Sequence, residues 1–251
     1  MIFGRKNKQE LDDDQVVDPA EVESTDVDDD LDELVDADDE VDAEVDDDTE
    51  DEDGDDEEID HDLREDGPFD IDEVDLDADE IERLDFGTLV LTPFENMQIQ
   101  LQVDQTSNTV QSALVMAEQS ALEVALFAAP ARSSMVQDVA DDMVSATVAS
   151  GGEAELREGP FGPEIRRIIP VEHEGETAYH VSRTWFAQGP RWLLRGVLMG
   201  EAATQDGFEG TGELLFEFFC NVVVRRGDEP KVPGDLIPMV LPDELVQTAE
   251  Q

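Results

Sequence analysis

Arginine and tryptophan are concentrated in the one long stretch of the chain that carries no acid. Between Glu176 and Glu201, 24 consecutive residues contain neither Asp nor Glu, and they include Arg183, Arg191 and Arg195 together with Trp185 and Trp192. A guanidinium presents planar, always-charged donors that match carboxylate and phosphate oxygens. The stretch therefore predicts an anion-recognising surface, with Arg183, Arg191, Trp192 and Arg195 as the ligand-binding candidates. Its target would be a phosphate, a carboxylate-rich partner or the chain's own acidic segment. Read as a strand over residues 191–199, alternation puts Trp192, Leu194, Gly196 and Leu198 on one face. Arg191, Leu193, Arg195 and Val197 take the other, with the two arginines roughly 13 Å apart at ~3.3 Å per residue. The competing reading is a framework strand whose arginines pair with acids such as Glu155 or Glu164.

Other chemistry finds little support. His61, His173 and His180 are the three histidines, and Cys220 is the single cysteine. No Gly-x-Ser-x-Gly elbow accompanies His180 and Ser182, so nucleophilic catalysis has no template. Isolated histidines and one cysteine give no zinc-ligand spacing. Asp51, Asp53, Gly54 and Asp60 invite comparison with a calcium loop, but aligning Gly54 with the loop glycine puts Thr49 where an Asp is needed. No P-loop or Gly-x-Gly-x-x-Gly turn occurs. The expectation is no catalytic residue, no metal site and no cofactor.

The elements that must position the arginines lie in the second two-thirds of the chain. Of the first 85 residues 43 are Asp or Glu against five Lys or Arg, about 38 of the 53 net negative charges. Single apolar residues such as Val22, Leu34 and Val45 sit among runs of acids, so this segment cannot bury a core. Residues 1–66 are therefore expected to be a disordered polyacidic tail, followed by one domain over 67–242 and a short extension over 243–251. The tail resembles a phosphate chain in charge, so it is expected to meet basic proteins and not nucleic acid. No run approaches the roughly 18 apolar residues of a membrane span. The basic start lacks the apolar stretch of a secretory signal. A single cysteine fits a reducing compartment. The expected location is the cytoplasm.

Within the domain, residues 87–91 and 97–103 read as strands, the second with Met97, Ile99, Leu101 and Val103 on one face. Residues 110–116 and 121–127 follow as returning strands. The period then changes: Val136, Val139, Ala140, Met143 and Thr147 fall at helical spacing over residues 134–149. Ser134 and Gln137 have the form of a capping box, and Gly151 supplies the stop. Residues 154–158, 165–170, 177–186 and 191–199 read as further strands. A second helix is expected over 206–219, weakened at its start by Gly207, Gly210 and Gly212, and a last strand over 222–224. Strands in runs with two separated helices predict an α+β fold, a mostly antiparallel sheet covered on one face.

Several blocks of this domain together resemble a known family. They are Gly67-Pro68-Phe69-Asp70, Arg83-Leu84-Asp85-Phe86-Gly87-Thr88-Leu89, Phe127-Ala128-Ala129-Pro130 and Glu158-Gly159-Pro160-Phe161-Gly162. Gly189-Pro190-Arg191-Trp192-Leu193-Leu194-Arg195-Gly196 and Val223-Val224-Arg225-Arg226-Gly227-Asp228-Glu229-Pro230 complete the set. In this order they resemble an actinobacterial family known as domain of unknown function thirty-seven ten, over about residues 67–242. The resemblance implies a domain start near Gly67, an ordered lead-in over 70–84 and a variable acidic tail after a short basic start. Genes of the family often neighbour one for a dUTP-hydrolysing enzyme, which implies nucleotide housekeeping. It implies no catalytic residue or cofactor. The functional expectation is a non-catalytic cytoplasmic binding or adaptor protein with an Arg/Trp surface, an acidic regulatory tail and an unidentified, basic protein partner. The alternative is a nucleotide-binding sensor or enzyme.

Overall fold

The computed structural model of the chain describes residues 59–104, 107, 109–173 and 176–241. The acidic tail through residue 58, the side chains of His61 and His173, and the extension 243–251 lie outside the described residues. In chain order the strands are β1 (Phe69–Asp70), β2 (Leu84–Asp85), β3 (Leu89–Leu91), β4 (Gln98–Asp104), β5 (Thr109–Ala117) and β6 (Ser120–Ala128). They continue as β7 (Glu153–Gly159), β8 (Gly162–His173), β9 (Glu176–Gly189), β10 (Trp192–Gly200) and β11 (Val223–Val224). Two α-helices accompany them, α1 (Val136–Ala149) and α2 (Thr211–Cys220). A seven-stranded sheet runs in the order β4-β5-β6-β10-β9-β8-β7, antiparallel throughout. A four-stranded sheet has the order β1-β11-β3-β2, with β1–β11 its parallel pair. The fold is α+β, mostly antiparallel, with two helices.

The large sheet is covered on both faces and not on one. Neighbouring residues on a strand point to opposite sides, and the cores divide accordingly. Trp185, Trp192, Leu194 and Leu198 pack with Leu215, Phe218 and Phe219 of α2 and with Leu89, Leu91 and Val224 of the small sheet. Phe186, Leu193 and Ile165 pack on the opposite side against Val136 and Ala140 of α1. Each such fully buried side chain contributes roughly 1.5–3 kcal/mol relative to exposure. The alternation expected for β10 is therefore real, and both of its faces are used.

Boundaries shift where local chemistry differs from the expectation. The first helix begins at Val136, not Ser134, and no capping box forms. The Ser134 hydroxyl instead accepts from Val136 N at 3.3 Å, and the Met135 N–H donates to Gln188 Oε1 at 2.9 Å. The second helix begins at Thr211, just after Gly210 at φ +55°. A register shift between Gln102 and Val103 in β4 leaves Val103 exposed instead of continuing the apolar face. The folded unit also takes in residues 59–66, which composition assigns to the tail. Arg64 there is buried and donates to the Gln188 and Pro68 carbonyls. Among the described residues no helix is long and apolar enough to cross a membrane.

Candidate functional site

The four sequence candidates do not converge. Register explains why: β10 pairs with β9 so that Leu198 stands opposite Arg183 and Arg195 opposite Phe186. Leu198 faces α2 and Phe186 faces α1, so Arg183 and Arg195 lie on opposite sides of the sheet. Arg191 lies on neither, because β10 starts one residue later and Arg191 occupies the β9–β10 turn. The expected spacing of Arg191 and Arg195 along one strand face is corrected accordingly.

Arg183 is committed to the framework. Its Nε and Nη2 donate to Glu164 Oε1 and Oε2 at 2.7 and 3.0 Å, and its Nη1 donates to the Gln205 and Gly207 carbonyls. The guanidinium stacks 4.7 Å from the Phe208 ring. Glu164 also accepts from Trp185 Nε1 at 2.7 Å. This is the pairing with Glu164 that the framework reading allowed. Trp192 is fully buried, its Nε1 donating to Asp70 Oδ2 at 2.7 Å, with Arg64 5.3 Å from its ring. Arg195 donates to Glu123 Oε1 at 3.1 Å and stacks 5.0 Å from Phe127.

Arg191 opens onto a cleft of ≈ 340 Å³ between the β9–β10 turn, the lead-in after β1 and the segment following β11. Its φ of +65° is a left-handed value that side chains other than Gly adopt only under constraint. The constraint is visible: the Arg191 N–H donates to the Pro130 carbonyl, and its own carbonyl accepts from Ala129 N and from Arg226 Nε. The Arg191 side chain reaches the Gly227 carbonyl at 3.1 Å and lies 3.9 Å from the fully solvated Asp228. Arg225, on the same wall, is neutralised by Asp85 at 2.9 and 3.0 Å, which holds that carboxyl below the usual range.

Arg226 is the unusual member. It is 8 % exposed, and its partners are the Arg191 and Glu229 carbonyls. Among the described residues no carboxylate lies within ion-pair distance of it. Burial, and then the neighbouring Arg191 charge, pulls its pKa down from the ordinary arginine value. The opposite wall is acidic, but Asp70 is engaged by Trp192 and Glu73 by Arg64 at 2.6 and 2.8 Å. The lining thus carries Asp70, Asp72, Glu73 and Asp228 against Arg191, Arg225 and Arg226, and Arg226 is the guanidinium among them without a carboxylate partner. Sequence reasoning singled out Arg191 and not Arg226. The signal was present, since Arg225-Arg226 stand beside Gly227 in one of the family-like blocks, but nothing local shows that this block returns to the β9–β10 turn.

Cys220 offers no comparable site. Burial pushes the Cys220 thiol up to about 12, which keeps it protonated. No cluster of three or more His, Cys, Asp or Glu that could hold a metal ion occurs among the described residues.

Comparison with known proteins identifies the lineage and not a function. No curated protein matches the chain. A crystal structure of a protein from Bacteroides thetaiotaomicron VPI-5482 is similar at 15% identity with a TM-score of 0.39, over 66% of this chain. The chain spans 55% of the length of that protein, and a likeness this low carries no argument. The model of the family described as "Protein of unknown function (DUF3710)" matches residues 67–248, beginning at the Gly67-Pro68 block and running past the Arg225-Arg226 segment. The chain belongs to that family.

Proposed function

We propose that the protein is a non-catalytic, cytoplasmic binding or adaptor protein that takes an anionic group of its partner into the Arg191 cleft. The observation that carries this reading is Arg226, a buried guanidinium held by backbone carbonyls beside a second, exposed one. Buried cations without carboxylate partners are costly, and an incoming anion would offset that cost with charge-assisted hydrogen bonds. Arg191 is the ligand contact. Trp192 positions the site through Asp70, which borders the cleft. Arg183 serves the framework.

The polyacidic N-terminal segment is the regulatory part of this reading. Its charge would compete with anionic ligands at low salt and engage basic segments of a partner. Calorimetric titration with inorganic pyrophosphate and with dUTP, at two salt concentrations, tests the proposal on the full chain, a chain lacking residues 1–58, and Arg191→Ala. The expected result is saturable binding that Arg191→Ala weakens about tenfold, the loss of roughly one charge-assisted contact. Binding should strengthen at low salt when the tail is removed. Equal affinity of wild type and Arg191→Ala would sink the site, and equal affinity with and without the tail would sink the regulatory role. A preference for dUTP over pyrophosphate would move the reading to a nucleotide sensor, which the placement of two arginines on one wall favours.

A further inference from the structure

The side of the large sheet that carries α1 has a second unexplained feature. Alongside the helix an apolar groove of ≈ 150 Å³ runs between Met135, Val139 and Met143 on one side and Phe127, Phe186 and Leu193 on the other. Arg195 borders the groove. Its Nη2 is taken by Glu123, yet its Nε is buried and has no partner.

Register places a second arginine on this same side. Arg167 of β8 stands opposite Ser182 of β9, and Arg195 of β10 stands opposite Phe186. Ser182, Thr184 and Phe186 alternate on one strand and share a face, so both arginines project from that face with Thr184 between them. The two guanidinium groups are close enough to repel. Burial first, and then the Arg195 charge, lowers the Arg167 pKa from the ordinary value, while Glu123 raises it. Arg167 makes no ion pair or hydrogen bond with its side chain among the described residues, and its Nε is buried without a partner. Ser182 and Thr184 are both fully buried, and both hydroxyls also lack partners.

Four polar atoms without partners thus lie on this side of the sheet, and Arg195 links them to the apolar groove. Such groups are costly when left unsatisfied, so native proteins rarely collect them without a ligand or ordered water. Two arginines against one glutamate leave a surplus of one positive charge. That balance fits a monoanion, and the groove fits a hydrocarbon body.

We infer that this face binds a small amphipathic carboxylate, the head group lying between Arg167 and Arg195 and the alkyl body lying against Val139, Met143, Phe186 and Leu193. Arg167 supplies a guanidinium that no other group uses. Arg195, already held by Glu123 and the Phe127 ring, is the pre-oriented half of the clamp. The site is independent of the Arg191 cleft.

Decanoate is the probe, titrated calorimetrically into the full chain below its aggregation concentration. Decanol tests the body alone and acetate the head alone. Decanoate should bind saturably, with both controls at least about tenfold weaker, since each lacks one of the two recognition elements. Arg167→Met should weaken decanoate about tenfold, and Val139→Trp, which fills the groove, should abolish binding. Arg191→Ala should leave it unchanged. Circular dichroism of each variant separates lost binding from lost fold. Absence of saturable decanoate binding overturns the inference, as does equal affinity in folded Arg167→Met. Decanol binding as tightly as decanoate overturns the head-group assignment and with it the proposed ligand class.

Discussion

At the scale of single residues, arginines in this domain divide by what faces them. Arg183 meets a carboxylate on two of its nitrogens and carbonyls on a third, and it is almost wholly buried. Glu164 in turn has each oxygen occupied, by Arg183 and by Trp185 Nε1. A buried pair of this kind adds little net stability compared with apolar residues of the same volume, yet breaking it leaves a charge stranded. Glu164→Leu is therefore expected to destabilise the domain by about 3–5 kcal/mol, whereas Glu164→Leu with Arg183→Met should recover much of that loss. Urea denaturation followed by Trp185 fluorescence measures both. A single substitution costing under ~1 kcal/mol would show that the pair is not the closed unit its geometry describes. The same criterion separates Arg226 and Arg167 from Arg183: the first two have no carboxylate to lose.

At the scale of elements, the β9–β10 hairpin does the positioning. Its two-residue turn, Pro190-Arg191, aims Arg191 at the cleft, and the flanking Gly189–Trp192 pair closes it. Gly189 is required by space: a Cβ there would lie 2.3 Å from the Trp192 ring. Gly189→Ala must displace Trp192, breaking its 2.7 Å bond to Asp70 and loosening the cleft wall. The expected cost is about 2–3 kcal/mol, as for other overpacked cores, with weaker pyrophosphate binding. Thermal unfolding beside the binding titration checks it, and an unchanged midpoint would mean that the indole is free to move. Much of this element was legible in the sequence. Alternation marked β4 and assigned the faces of β10, turn residues set off β5 and β6, and the helical period marked α1, because these signals are local. The start of α1 was not legible, since Ser134 has the right type for a cap but Met135 bonds Gln188, 53 residues away. The faces of the arginines were not legible either. Which side of the sheet α1 covers, and which strand stands opposite which, are set by contacts distant in sequence. Arg226 beside Arg191 depends on the same long-range return of the chain.

At the scale of the whole chain, the net charge divides almost evenly at residue 58. Residues 1–58 contain 30 acids and three bases, so they hold 27 of the 53 net negative charges. The rest carries both apolar cores, with every strand and both α-helices of the described residues. Arg64 and Ile59 are tied to Gln188, Pro68 and Arg132, so a cut at Gly67, where the family match begins, would remove bonds that the folded unit uses. A cut after residue 58 keeps every one of these bonds. The chain 59–251 is therefore expected to unfold cooperatively in urea with a stability within ~0.5 kcal/mol of the full chain at physiological salt, where exposed charges more than about 8 Å apart are largely screened. The chain 67–251 is expected to be less stable by about 2–4 kcal/mol. It loses Arg64, whose bonds to Glu73 and to two carbonyls close the side of Trp192, and leaves those acceptors without their donor. Equal stability of the two truncated chains would place the start of the folded unit at Gly67. A large loss at the 59 cut would place part of the fold within the acidic segment, whose composition offers no core to supply it.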